Sequence, residues 1–317
     1  MIIELAIAFS FAMSAPRDVI SAEAPIVVPG GAGHFDFMNV DPINRLVFAC
    51  HPGKSSFTVI NLDTKGVKDV AVGTECNGIC ADAKGKYVFA GGPGKKLVRV
   101  DTKTWSTTGS LDLSGPADCT QYDAKRGVLY VDNDDGTSLW VVNPATMKLT
   151  ATVEIKEAPE YMEYDSTRDR IFQAIKSSST VQVINPGSKK VVDEWKLGGL
   201  TSPHGLAIDR KMGRVFVAGK NGKLVVLDAN NGKLLSTVEV VKGSDQIAYD
   251  PTLQRVYIPG ESKIQVVQIS GNTGTVIGSA PVAKDCHRVA IDPKTHALWV
   301  AFAEGSDSFV QQFTVKK

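Results

Sequence analysis

The chain has 317 residues, 43% of them hydrophobic, and its 35 Lys and Arg against 34 Asp and Glu leave a net charge of +1. This length is ample for a packed core. The near-neutral charge argues against a nucleic-acid-binding protein and against electrostatic attachment to an anionic membrane surface.

The first predicted element is a leader peptide. Residues 1–15 are the apolar run MIIELAIAFSFAMSA, which is too short to span a bilayer comfortably, and Ala22-Glu23-Ala24 fits the small-x-small pattern of a cleavage site. Glu4 and the lack of Lys or Arg at the start depart from a usual leader, so an amphipathic start of a cytoplasmic protein is the alternative. We expect residues 1–24 to be removed on export to the periplasm or the medium, which would leave 25–317 without an integral membrane segment.

An internal repeat dominates the remaining chain. Seven aligned segments each end in an aspartate, and these aspartates are 41, 41, 42, 44, 41 and 42 residues apart: Asp41, Asp82, Asp123, Asp165, Asp209, Asp250 and Asp292. Each is followed by a turn, a β-rich run such as KYVFAG, a second run such as KLVRVD, and a last run such as KLLSTVEV. A period of about 40–45 residues with short alternating strands is typical of four-stranded propeller blades. We expect the aspartates themselves to stabilise the turns that follow them.

The two ends of the chain complement each other. The seventh repeat has three predicted strands and ends at Lys317, while PIVVPG, residues 25–30, is a strand left over before the first repeat. Pairing the two would close the ring and remove its exposed edges. The sequence therefore predicts an all-β, seven-bladed β-propeller of four-stranded blades, closed by an N-terminal strand that pairs into the last blade.

The run RVFVAGKNGKLVVLDANNGKLLSTVEV resembles the YVTN-type β-propeller repeat, and RVYIPGESKIQVVQI and KYVFAGGPGKKLVRVD are further matches. The resemblance covers residues 25–317. It implies an exported seven-bladed protein of the kind found in bacteria and archaea, and it is specific for fold rather than for function. Related seven-bladed folds include metal-dependent lactonases, a streptogramin lyase and subunits of copper or quinone enzymes, so the function has to come from the residues of the site.

The residue five positions before each repeat aspartate is polar in all seven repeats. In a propeller this position recurs at one mouth of the central channel, where the first strand of each blade begins. The ring so formed consists of Asp36, Asn77, Asp118, Glu160, His204, Asp245 and His287. A purely structural role, hydrogen bonding to backbone and ordered water at the mouth, is the alternative.

Four carboxylates around a narrow mouth repel one another, so protonated histidines, raised pKa values or a bound cation must offset the repulsion. Two imidazoles with several carboxylates suit a divalent transition metal such as Zn, Fe, Mn, Ni or Cu. We expect His204, His287, Asp245 and Asp36 to bind it, with Asp118 and Glu160 completing the shell. Ca or Mg would instead favour Asp118 and Glu160.

Further candidate ligand-binding residues lie on the same face: His34, His51, Asn77 and Arg288. We expect a monomeric, exported binding or scaffold protein whose channel mouth binds a small molecule or a protein. The alternative is a metal-dependent lyase or lactonase that uses the same site.

Five cysteines leave the compartment open: Cys50, Cys76, Cys80, Cys119 and Cys286. Their spacing contains no CxxC motif, and an odd number leaves at least one outside any pair within the chain. We expect most to be small buried hydrophobic residues, with one disulfide between neighbouring blades as an alternative.

Overall fold

The structure, a computed structural model, describes residues 19–284 and 286–317. Residues 1–18, the larger part of the predicted leader, lie outside the described residues. Within the described part the chain forms seven antiparallel sheets around a central axis, with a single 3-10 turn at Pro52–Lys54. The predicted seven-bladed all-β propeller is therefore confirmed.

Short runs of alternating hydrophobic residues between Gly, Asn and Asp turns form the strands. Six of the seven sheets contain four strands each, and the last contains five. Two strands precede blade 1: β1 (Ile20–Ala22) and β2 (Ile26–Val28). The first four blades are blade 1 with β3 (Met38–Asp41), β4 (Leu46–His51), β5 (Ser56–Asn61) and β6 (Val67–Ala71); blade 2 with β7 (Gly78–Ala81), β8 (Tyr87–Gly91), β9 (Lys96–Asp101) and β10 (Thr107–Asp112); blade 3 with β11 (Ala117–Asp123), β12 (Val128–Asn133), β13 (Ser138–Asn143) and β14 (Lys148–Glu154); and blade 4 with β15 (Pro159–Asp165), β16 (Arg170–Ile175), β17 (Thr180–Asn185) and β18 (Lys190–Lys196). The last three are blade 5 with β19 (Pro203–Asp209), β20 (Arg214–Gly219), β21 (Lys223–Asp228) and β22 (Leu234–Glu239); blade 6 with β23 (Ala248–Asp250), β24 (Arg255–Gly260), β25 (Lys263–Ser270) and β26 (Thr273–Pro281); and blade 7 with β27 (Ala290–Ile291), β28 (Leu298–Glu304) and β29 (Asp307–Val315).

The last blade takes its outer edge from the N-terminal segment. Strand β2 pairs with β29 through Ile26 and Val310, and β1 pairs with the other end of β29 through Ile20 and Val315. Ile20 is only 1% exposed, so β1 is packed into the blade. The propeller boundary expected at Pro25 therefore lies inside the closing blade, because the preceding residues also find backbone partners there.

The repeat aspartates stabilise the turns that follow the innermost strands, as predicted. The carboxylate of Asp41 accepts hydrogen bonds from the backbone N–H groups of Ile43 and Asn44 at 2.9 and 3.1 Å. Asp123 does the same for the turn after β11. Some of these aspartates also join neighbouring blades; Asp292, for example, binds the guanidinium of Arg45 at 2.5 and 2.8 Å.

The hydrophobic core lies between successive blades, where the middle strands are buried on both faces. The largest fully buried side chains include Trp299, Tyr257, Phe216 and Phe172, one in each of four blades. In the part of the chain that the structure describes, no helix is long and apolar enough to cross a membrane.

Candidate functional site at the channel mouth

Six of the seven predicted ring residues line one polar cavity of about 190 Å³ at the mouth of the channel. The described residues around it are Asp36, Phe37, Asn77, Asp118, Asp134, Glu160, Lys176, His204, Asp245 and Arg288. The spacing of five residues from the repeat aspartate thus identifies a shared location, because equivalent positions of successive blades converge on the axis.

Local bulges direct three of these side chains into the cavity. The pairing register shifts between Ala117 and Thr120 in β11, where Asp118 lies. It shifts again around Glu160 in β15 and around His204 in β19. An unpaired residue in a strand bends the backbone and re-aims the side chain, and such bulges are frequent next to functional sites. Blades 3, 4 and 5 therefore present polar groups from inside a strand.

Basic side chains from neighbouring loops and strands enter the ring. The ammonium group of Lys176 contacts carboxylate oxygens of Glu160 at 2.8 Å and Asp134 at 3.3 Å. Arg288 binds Asp245 at 3.0 Å and reaches Asp36 at 3.4 Å. Nothing in the repeat pattern indicated that Lys176 would pair with the ring.

Lys220 from the β20–β21 turn binds Asp245 from the other side. Counting it, three basic side chains face five carboxyl groups around the cavity among the described residues. Asp118 is the exception among the ring carboxyl groups: its only side-chain hydrogen bond within the described residues comes from the amide of Asn77, at 3.4 Å. The site therefore carries more acid than its own bases neutralise.

Burial makes several of these carboxyl groups harder to ionise. It raises the pKa of Asp36 to about 7; Arg288 opposes the shift, and the charges of Asp245 and Glu160 add to it. Burial also raises the pKa of Asp118 well above its usual range, and Asp36 is the next contributor. The pKa of Glu160 is raised by burial in spite of Lys176.

On the other side of the ring, neighbouring bases stabilise the ionised form of Asp245. Burial would raise the pKa of Asp245, but Arg288 and Lys220 more than offset it, and the value lies below the usual 3.8. The pKa values of the carboxyl groups are thus raised on the Asp118 side of the ring and lowered at Asp245.

His204 lies between these two sides of the ring and is a neutral imidazole. Its Nδ1 lies 2.9 Å from the backbone carbonyl of Ser202, and its Nε2 lies 3.3 Å from Glu160. Burial, helped by the charge of Lys220, lowers its pKa from 6.5 to about 4. A neutral imidazole is the form that binds metal ions.

Three other candidate residues lie away from the cavity. His287 precedes β27, and its backbone carbonyl accepts hydrogen bonds from the N–H groups of Asp245 and Gln246 at 3.0 and 3.1 Å. Its neighbour Arg288 lines the cavity instead. His51 is fully buried and stacks on Phe35 with ring centroids 4.2 Å apart. The reason is that β4 extends through His51, so its ring lies in the interior rather than in a mouth loop.

The remaining candidate, His34, is exposed in the segment between β2 and β3. It is not among the described residues that line the cavity. Within residues 19–284 and 286–317, no group of three or more His, Cys, Asp and Glu side chains is arranged to hold a metal ion. The ring as described is held by its lysines and arginine, and the divalent metal stays a prediction.

A layer of side chains forms the floor of the cavity. Phe37 packs edge-on against Tyr161 with centroids 5.0 Å apart. The amide of Gln246 spans from blade 6 to blade 1, accepting from the N–H of Met38 at 2.9 Å and donating to its carbonyl at 2.7 Å and to the Tyr161 hydroxyl at 3.2 Å. A separate cavity of about 180 Å³, lined by Glu163 among others, lies beyond this layer. Phe37 lines the mouth cavity, whereas Tyr161 and Gln246 line the second one, so this layer lies between the two cavities. Nothing in the repeat pattern predicted it.

Comparison with known proteins defines the fold and leaves the function open. No protein-family model matches the chain, and no curated protein sequence matches it. The resemblance to YVTN-type repeats accordingly stays a prediction.

Solved structures do share the architecture. A chain of a structure described as "Crystal Structure of Mitotic Checkpoint Complex" superposes with a TM-score of 0.80 at 13% identity, covering 98% of both chains. In all, 1825 chains of solved structures match this one, so the fold is too widespread to indicate a particular activity.

Proposed function

We propose that this protein is a binding or scaffold propeller whose ligand site is the channel-mouth cavity, and that the ligand is a divalent cation bound by Asp118, Glu160, Asp36 and His204. The propeller fold itself suggests a binding role. Cation binding rests on one observation: a buried, cavity-lining carboxyl group, Asp118, has no basic partner among the described residues and is surrounded by other acids.

A cation would bind by displacing protons from the carboxyl groups. Carboxyl groups with raised pKa values hold protons that a cation can displace, because both satisfy the same buried negative charge. Glu160 would have to release Lys176, whose ammonium group also contacts Asp134 and Asp135, at 3.0 Å in the latter case, and so has other partners. The donor set of one neutral imidazole and several carboxylates favours Mn, Fe or Zn over an all-oxygen Ca or Mg site.

The test is metal binding by wild type and by Asp118→Asn, which keeps the shape of the side chain and removes its ability to ionise. After treatment with a chelator, equilibrium dialysis against Mn²⁺ or Zn²⁺ with elemental analysis should give one ion per chain at pH 8. Binding should weaken at least tenfold at pH 6, because protons compete for Asp36. Asp118→Asn should bind at least tenfold more weakly.

Asp112→Asn is the matched control, because Asp112 lies on an exposed outer strand and loses the same charge. Wild-type protein that binds no ion at pH 8, or an Asp118→Asn variant that binds as tightly as wild type, would refute cation binding. The catalytic alternative, a metal-dependent lyase or lactonase, depends on the same ion and fails with it.

Export is a further part of the proposal. It is supported by the apolar run of residues 1–15 and by the small residues that follow it. Cleavage after Ala24 would remove β1 from the closing blade, so a mature chain that begins near residue 19 fits the fold better than one that begins at Pro25. N-terminal sequencing of protein from the native host decides between the two, and an intact Met1 in a cytosolic fraction would exclude export.

A further inference from the structure

The five cysteines are all buried, but they do not share one environment. Cys50 and Cys76 pack in the same apolar cluster between blades 1 and 2. The other three lie in three different clusters elsewhere in the propeller: Cys80, Cys119 and Cys286. Among the described residues, only Cys50 and Cys76 therefore meet within one core.

The backbone brings these two residues side by side. Cys50 lies near the end of β4, where it pairs with Phe57 of β5. Cys76 precedes β7 of the next blade, and its thiol donates to the backbone carbonyl of Ser56 at 3.0 Å. Ser56 is the chain neighbour of Phe57, so Cys76 lies against the strand pair that contains Cys50. The nearby Cys76 thiol adds to burial in raising the pKa of Cys50, which agrees with this placement.

Both cysteines lie directly behind the wall of the cavity. The carbonyl of Cys50 accepts a hydrogen bond from the N–H of Asp36 at 2.9 Å. Asn77, the next residue after Cys76, accepts from the N–H of Phe37 at 3.1 Å. A covalent link between the two cysteines would fix the segments that carry Asp36 and Asn77 into the mouth.

We propose that Cys50 and Cys76 form a disulfide that fastens blade 1 to blade 2 behind the channel mouth. The reaction is a thiol–disulfide exchange: two thiols and one molecule of oxidised glutathione, or an equivalent protein disulfide, give the protein disulfide and two reduced thiols. This inference does not depend on cation binding. It requires an oxidising compartment, where such bonds persist.

The bond should form while the chain is folding. In the folded protein both thiols are buried, and burial raises the pKa of Cys50 well above its usual range. Since only the thiolate attacks a disulfide, exchange in the folded state should be slow. The experiment therefore has to admit the oxidant during folding.

The test is peptide mapping without reduction. Protein refolded in a glutathione redox buffer is alkylated in denaturant and digested with trypsin. The expected cross-link joins residues 46–54, LVFACHPGK, to residues 69–84, DVAVGTECNGICADAK. The second peptide also contains Cys80, so Cys80→Ala should keep the cross-link while Cys76→Ala should lose it.

Protein secreted from an oxidising compartment and alkylated at once in denaturant gives a second measurement that needs no refolding. Alkylated Cys50 in both preparations, or a link that survives Cys76→Ala, would overturn the proposal. The oxidised chain should also melt on the order of 5 °C above the reduced chain, and this difference should vanish in Cys50→Ala.

Discussion

Replacing Asp36 with asparagine separates the cost of its negative charge from the shape of its side chain. The protonated acid and the amide have nearly the same size, so wild type and variant should be equally stable where Asp36 is protonated in both the folded and the unfolded chain. The unfolded carboxyl group ionises near 3.8, whereas the folded one ionises near 7. The two proteins should therefore agree below about pH 4 and diverge above it.

The sign of the difference follows from proton binding. Between these two pKa values the folded chain holds a proton that the unfolded chain has lost, so the stability of wild type falls as pH rises. Each pH unit costs about 1.4 kcal/mol, and the interval from 3.8 to about 7 gives about 4 kcal/mol in total. Asp36→Asn cannot ionise and should avoid this loss.

Burial is the largest cause of the raised pKa of Asp36, and neighbouring charges modify it. Arg288 opposes it, while Asp245 and Glu160 increase it. Thermal unfolding of both proteins from pH 4 to pH 9, in the presence of a chelator, should show Asp36→Asn to be the more stable one above pH 7. Parallel pH profiles would refute the reasoning, because they would mean that the folded Asp36 ionises like an exposed acid. Asp112→Asn is expected to follow wild type throughout.

Two further predictions concern the framework around the site. Gln246→Ala should lower the free energy of unfolding by about 3 kcal/mol, because the buried N–H and carbonyl of Met38 lose their partners. Chemical denaturation measures this change, and an unchanged midpoint would contradict the bridging role. A chain that begins at Pro25 should be less stable than one that begins at Val19 by about 4 kcal/mol, because burial of Val19 and Ile20 is lost. Equal melting temperatures of the two chains would show that β1 contributes nothing to stability.

The sequence predicted those parts of the molecule that repeat. Asp123 and its equivalents occur at the same place in every blade, so their turn hydrogen bonds and the position of the ring follow from periodicity alone. The partners of the lysines do not follow from the repeat: Lys176 binds Glu160 of its own blade, whereas Lys220 at the equivalent position binds Asp245 of the next blade. The strand β1 was missed because its three residues, Ile20–Ala22, precede the repeat and adjoin an apolar run that resembles a leader.

Acids and bases are unevenly distributed around the ring because its members enter the cavity from different kinds of backbone. Glu160 and His204 enter the cavity from bulges inside long innermost strands, whereas Asp245 precedes the short strand β23 and meets Arg288 and Lys220. A cation entering the mouth would be repelled on the side where these two bases lie and attracted on the side where the acids outnumber them. We therefore expect a bound cation to lie off the axis, toward blades 3 and 4, where the partner of Asp118 within the described chain is an amide.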